Sequence, residues 1–357
     1  MPMFLFITFL LYALGLVLTA VGSRLTGRCA TWCCALCGFP MWVVSGTVAS
    51  LSVALPQLVL AFLASGLSIT SLAVGAALAG AVTDLGLVLA LCLLRRSVTV
   101  DRGEFCRKCG ILLAACLVLL LFVRDGALSH TGAGLLMALF VLFVMESIVY
   151  QYRLVYDEDL QPIGVGPKRL PRSAAVPASQ TMAFPAMSPG NAVKNLAGVL
   201  GGLALLLGGA WALLYSATAL ANLTGTIQAL WAATLISFGF SLPLLAEVLH
   251  HPFGSVWKRF AVRCRIHPPA ALPMQMLNSA ILSLTFVLPL CSLTYRARLP
   301  VGAQFRAYDV PVCVLLGLVL LVPPLFRRRL YRWQGGVCLG LYLLYLAAVL
   351  LAPRAGA

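Results

Sequence analysis

Charge is what this sequence has least of. Of 357 residues, 10 are Asp or Glu and 25 are Lys or Arg, so 10% of the chain is charged. A soluble domain carries roughly 25%. With 61% hydrophobic residues and a mean hydropathy of +1.00, the chain has too few polar side chains to cover a folded core in water. Lipid removes that requirement. Enzyme signatures are missing as well: there is no P-loop, GxSxG, HExxH or GxGxxG, and the chain reads as a non-enzyme. The net charge of +15 does not argue for nucleic acid, because the basic residues sit in short groups between apolar runs rather than on one folded surface.

A disulfide framework is absent too. Of twelve cysteines, Cys92, Cys116, Cys291, Cys313 and Cys338 lie inside apolar runs, where a thiol behaves as a small hydrophobe. Cys29, Cys33, Cys34 and Cys37 cluster, and Cys106 and Cys109 form a CxxC. Zinc binding and palmitoylation are conceivable there, beside the plainer reading of packed thiols.

What is present is a series of apolar runs long enough to cross a bilayer, which takes about 20 residues. Ten spans are predicted, at 3–22, 38–63, 67–94, 109–124, 131–151, 194–216, 226–249, 270–293, 309–326 and 334–352. The fold class is therefore an all-α polytopic membrane protein of about ten helices. Cleavage of the first span after Ala20 would leave nine. The one long polar stretch, 152–193, is rich in Pro, Ser and Ala and reads as a cytoplasmic linker between two membrane halves, 1–151 and 194–357. With the N-terminus outside or lumenal, twenty Lys and Arg fall in the inner loops and five in the outer ones, the bias that fixes topology. His250, His251 and Lys258 then mark the inner interface, and the Asn222 sequon lies outside. With five spans per half, the second half is inverted relative to the first.

The halves repeat. GTVASLSVALPQLVLAFLA (46–64) resembles ATLISFGFSLPLLAEVLHH (233–251), with Pro56 opposite Pro243. The following helices, SLAVGAALAGAVTDLGLVLAL and LPMQMLNSAILSLTFVLPL, place Gly80 opposite Ser279 and Asp84 opposite Ser283. Inverted repeats with paired broken helices mark secondary transporters. Proline frees carbonyls on the preceding turn. Those carbonyls, hydroxyls and a carboxylate can together replace a cation's hydration shell. Ionisable groups within spans are costly and point to function. Asp84, Glu146 and Glu247 are the ones seen in the sequence, Glu146 reading mainly as packed or interfacial.

At these residues the chain resembles the calcium/cation antiporter superfamily, which includes the sodium/calcium exchangers. SVALPQL (52–58) and GFSLPLL (239–245) resemble the family's G-T-S-L-P-E motif and its repeat. VGAALAGAVTD (74–84) and the segment ending NSAILS (278–283) resemble its G-N-x-x-G-S-N-x-x-N/D motif. The resemblance implies two inverted five-helix repeats and secondary antiport by alternating access around a midplane site at the repeat interface. The implied site is Ser52, Gln57, Asp84, Ser241, Glu247, Asn278, Ser279 and Ser283, with Asp84 and Glu247 its metal-binding carboxylates. No cofactor is implied beyond the transported cation (calcium, sodium or proton), and no partner beyond the lipid bilayer and small inorganic cations. The departures bear on mechanism. The glutamate that follows each motif proline in the family is Gln57 in the first half and Leu244 in the second; Glu247 lies about one turn further on. Calcium handling is expected to be altered or weakened, and the alternative is a transport-inactive homologue with a structural or regulatory membrane role.

Overall fold

The computed structural model describes residues 2–36, 49–95, 97–159, 189–249, 272–295 and 298–351. Within the described residues each apolar run is helical, as it must be where no water can satisfy the backbone. In chain order the described helices are α1 (Pro2–Leu36), α2 (Ala49–Gly66), α3 (Thr70–Arg95), α4 (Arg102–Phe122), α5 (His130–Asp159), α6 (Pro189–Thr224), α7 (228–249), α8 (272–294), α9 (Phe305–Phe326) and α10 (Arg332–Leu351). Eight contain stretches long and apolar enough to span a bilayer; the apolar parts of α2 and α7 within the described residues are shorter. Cys37, His250, His251, Lys258 and most of the 152–193 stretch lie outside the described residues. The flanking helices run further into that stretch than its composition predicts, α5 to Asp159 and α6 from Pro189.

Burial sorts the helices into two kinds. α3 and α8 are sheathed by protein, while α1, α5, α6 and α10 leave most of their apolar surface outward, as lipid-facing helices do. Small residues make the inner packing possible. On α3, LAVGAALAGAVTDL is buried from Leu72 to Leu85. α2, α7, α8, α9 and α10 all pack against this helix.

The outer pair, α1 and α6, is held along its length by close backbone approach. A Cβ added at Gly22 would stand 2.8 Å from the Gly202 carbonyl oxygen, and one at Gly202 would stand 2.3 Å from Thr26 Oγ1. Small residues at such crossings let helices gain dispersion and weak polar contacts where lipid offers no hydrophobic drive.

Two short antiparallel strand pairs close the ends of the bundle. β1 (Val98–Thr99), between α3 and α4, pairs with β4 (Arg329–Leu330), between α9 and α10. β2 (Ala127–Leu128), between α4 and α5, pairs with β3 (Leu299–Pro300), between α8 and α9. The inner helices are also tied at their tips. Arg95 at the end of α3 donates to the Val248 carbonyl at the end of α7, 2.6 Å away, a cation on the negative end of a helix. At the opposite tips Ser71 donates to Gln228 Oε1 at 2.9 Å.

Four helical segments widen to π turns: Asp84–Leu89 in α3, Ala232–Ile236 in α7, Ser283–Val287 in α8 and Phe305–Asp309 in α9. A π turn shifts the backbone ladder by one residue and often sits at a functional site. In α7 the displaced carbonyls find side-chain donors: Ser237 Oγ bonds the Ala232 carbonyl at 2.7 Å, and the Tyr12 hydroxyl of α1 bonds that of Leu235.

Candidate functional site

Asp84 stands near the middle of α3, at the first residue of its π turn, and is buried. An isolated carboxylate could not stay there, so its partners decide what the site is. Ser241 of α7 donates to Oδ1 at 2.7 Å, and Ser279 of α8 donates to Oδ2 at 2.8 Å. Hydrogen bonds to a charged acceptor are worth about 1.5–3 kcal/mol each. The two hydroxyls thus reach Asp84 from two different helices.

Gln57 of α2 enters from the fourth side. It follows Pro56, which is carried inside the helix. Its amide fills the space beside Gly80, where a Cβ would stand 2.9 Å from Nε2. Its Oε1 accepts from Ser283 Oγ, which also lies 2.9 Å from the Ser279 carbonyl one turn earlier. Gln57, Asp84, Ser241, Ser279 and Ser283 are all buried. α2, α3, α7 and α8 therefore meet in one polar cluster within an otherwise apolar interior. It presents six side-chain oxygens and one negative charge.

Five of the eight residues predicted from sequence converge here. Asn278, buried on α8, precedes Ser279. Ser52 and Glu247 lie on α2 and α7, but their side chains are outside the described residues. Glu146, on α5, meets the start of α4, where Arg107 Nε donates to its Oε1 at 2.7 Å. Among the described residues no three His, Cys, Asp or Glu side chains come together as a metal-binding group, and none of the described cysteines forms a disulfide.

One buried acid escaped the sequence reading. Asp309, in α9, is fully buried, and its Oδ1 accepts from the Tyr345 hydroxyl of α10. It falls at the first residue of the predicted span 309–326, where an acid reads as a flank. The structure starts that helix a turn earlier, at Phe305. No sequence signal pairs Asp309 with Tyr345.

A multi-pass helical membrane protein, its central helices joined by a buried carboxylate and its hydroxyl partners, is the class that fold and cluster define. The family model described as sodium/calcium exchanger protein matches residues 7–149 and 256–351, and the chain belongs to that family. The fold agrees with that of solved structures of the sodium-calcium exchanger NCX_Mj. One, soaked with 100 mM Na+ and 10 mM Sr2+, is 20% identical with a TM-score of 0.59, over 96% of this chain and 99% of that one. Another, soaked with zero Na+ and Ca2+, is 20% identical with a TM-score of 0.57, over 97% and 99%. No curated protein matches the sequence significantly.

Proposed function

We propose that the chain is a secondary active cation antiporter whose ion is held between α2, α3, α7 and α8 by Asp84, Gln57, Ser241, Ser279 and Ser283. The observation that carries this reading is Asp84 itself: a carboxyl group at mid-helix, buried, with hydroxyls from two other helices aimed at its two oxygens. A cation enters such a site by turning the serine oxygens toward itself, so that former donors become ligands. The site draws on all four inner helices. A relative tilt of these helices would expose it to one face or the other, and bound ions would select between such states. The cross-paired strands support the inverted repeat that alternating access needs. In each half the segment after the third helix pairs with the one before the last helix of the other half. In the same arrangement the N-terminus lies outside or in a lumen and the 152–193 linker is cytoplasmic.

The donor set bears on which ion is carried. Calcium takes six to eight oxygens and binds tightly through several carboxylates. Here six side-chain oxygens share one charge, and Gln57 stands where the resemblance implies a glutamate. Calcium is therefore held more weakly than by a site with carboxylates from both halves, unless Glu247 adds a second charge. Sodium matches the single charge directly.

The test is flux in proteoliposomes under imposed calcium, sodium and proton gradients in turn, for wild type and Asp84→Ala. Flux that needs Asp84 supports the antiporter and names its ions. No flux under any gradient, from protein shown to be folded, would favour a transport-inactive homologue.

A further inference from the structure

Asp309 closes the π turn at the head of α9, and none of its surface reaches solvent. Tyr345 of α10 donates to Oδ1. Oδ2 has no hydrogen-bond partner among the described residues. Nor has Asp309 a counter-ion: the ion pairs among the described residues are Arg107 with Glu146 and Lys108 with Glu104, both on other helices.

The titratable groups facing it from each packed element are few. On α9 Cys313 lies one turn further on, in contact with Cys116 of α4. On α10 Tyr342 sits beside Tyr345, their ring centroids 6.1 Å apart. On α3 the titratable group is Asp84 itself, reached through Thr83, which meets Tyr342. Tyr342 packs so closely on α3 that a Cβ at Gly86 would stand 2.9 Å from its own Cβ. None of these groups is positive, and Arg306, in the same π turn, donates instead to the Arg124 carbonyl at an exposed position.

A buried carboxylate with one hydrogen bond and no cation is costly to keep charged. A metal ion does not fit the vacancy in its coordination. Calcium wants six to eight oxygens and sodium several, while Asp309 and Tyr345 supply three. A proton needs a single oxygen. We propose that Asp309, oriented by Tyr345, is a second ion site, separate from the Asp84 cluster, and that the ion it takes up and releases is a proton. The step is simple. A proton from water adds to a lone pair of Oδ2 and gives the neutral carboxylic acid, while Tyr345 keeps its own proton and goes on donating to Oδ1. Release reverses it. Asp309 lies within about one turn, roughly 6 Å, of the start of its helix, so the path to water is short. Contact through Tyr345, Tyr342 and Thr83 places the loaded or unloaded acid three packed side chains from Asp84. The use of that proton in transport rests on the antiporter reading; its binding does not.

The experiment is infrared difference spectroscopy on the full-length protein in lipid, stepping the pH and following the carbonyl stretch of protonated carboxylic acids. In wild type a band is expected that grows on acidification and is lost in Asp309→Asn. In Tyr345→Phe, a gentler change that keeps the ring, the band persists but moves to higher frequency, as it does when a hydrogen bond to the group is removed. A pH-dependent spectrum unchanged in both variants would overturn the proposal. So would an Asp309 band of constant size at every pH, because a proton that never leaves is structural. Flux under an imposed pH gradient is recorded on the same preparations. Absence of all flux would sink the antiporter reading while leaving the band to decide the proton site.

Discussion

Gln57 is the residue whose replacement says most about the cluster. It already touches Ser283 and the space beside Gly80, so Gln57→Glu changes charge with almost no change of shape. A second carboxylate in the cluster adds attraction for a divalent ion of several kcal/mol at an effective dielectric near 20. Calcium affinity, measured by isothermal titration or calcium-45 binding, is expected to tighten at least about tenfold, with a smaller gain for sodium. No change would mean that the cation does not sit between α2 and α8. Ser279→Ala removes one of two hydroxyls from Asp84 and should weaken binding by about 1.5–3 kcal/mol, without the complete loss expected of Asp84→Ala. Much at this scale was legible beforehand. Asp84 is conspicuous as an acid in a run of alanine and glycine, and the repeat aligned it with Ser283. The partnerships were not legible: that Ser241 and Ser279 divide the two oxygens of Asp84 between them depends on how four helices cross, which spacing along one chain does not encode.

At the scale of the helices, the crossing of α1 and α6 carries the sharpest test. Gly202 faces Thr26 and the Gly22 carbonyl at distances no side chain can share. Gly202→Val must push the two helices apart, at a cost of about 1–3 kcal/mol by analogy with overpacked cores. Gly208, on the same helix, has open space where its Cβ would be. Gly208→Val is the matched control and should leave the thermal unfolding midpoint in detergent within error, while Gly202→Val lowers it. Helix existence was readable throughout because lipid demands long apolar runs. Helix ends were not. α1 continues to Leu36 through Arg24 and Arg28, and α4 begins at Arg102, seven residues before the predicted 109. Polar turns outside the hydrocarbon are helical too, and hydropathy is blind to them. The π turns were invisible for a related reason: they follow from packing against neighbours, with no residue code of their own.

For the whole molecule the strand pairs define what topology must be. α4 has 21 residues, about 31 Å of helix, and separates β1 from β2. Thr99 and Ala127 must then lie on opposite faces of the membrane. Thr99→Cys and Ala127→Cys, labelled in sealed vesicles with a membrane-impermeant thiol reagent and read site by site by mass spectrometry, are expected to react from opposite sides. Labelling of both from one side would remove α4 as a span. Oxidative cross-linking of Thr99→Cys with Arg329→Cys, and of Ala127→Cys with Pro300→Cys, tests the pairing itself, because opposed strand residues lie within disulfide reach.

The contrast between a sheathed α3 and an α1 open to lipid also sets how this protein can change over generations. From Leu72 to Leu85 every position of α3 is buried, so a larger residue there must arrive together with a smaller one on the helix it meets. On the outward face of α1, one apolar residue serves a lipid tail as well as another. Descendants of this chain should therefore drift freely on their outer helices and alter α3 only in matched pairs. In an alignment of relatives, the covariation should concentrate on the buried helices and the plain variation on the exposed ones.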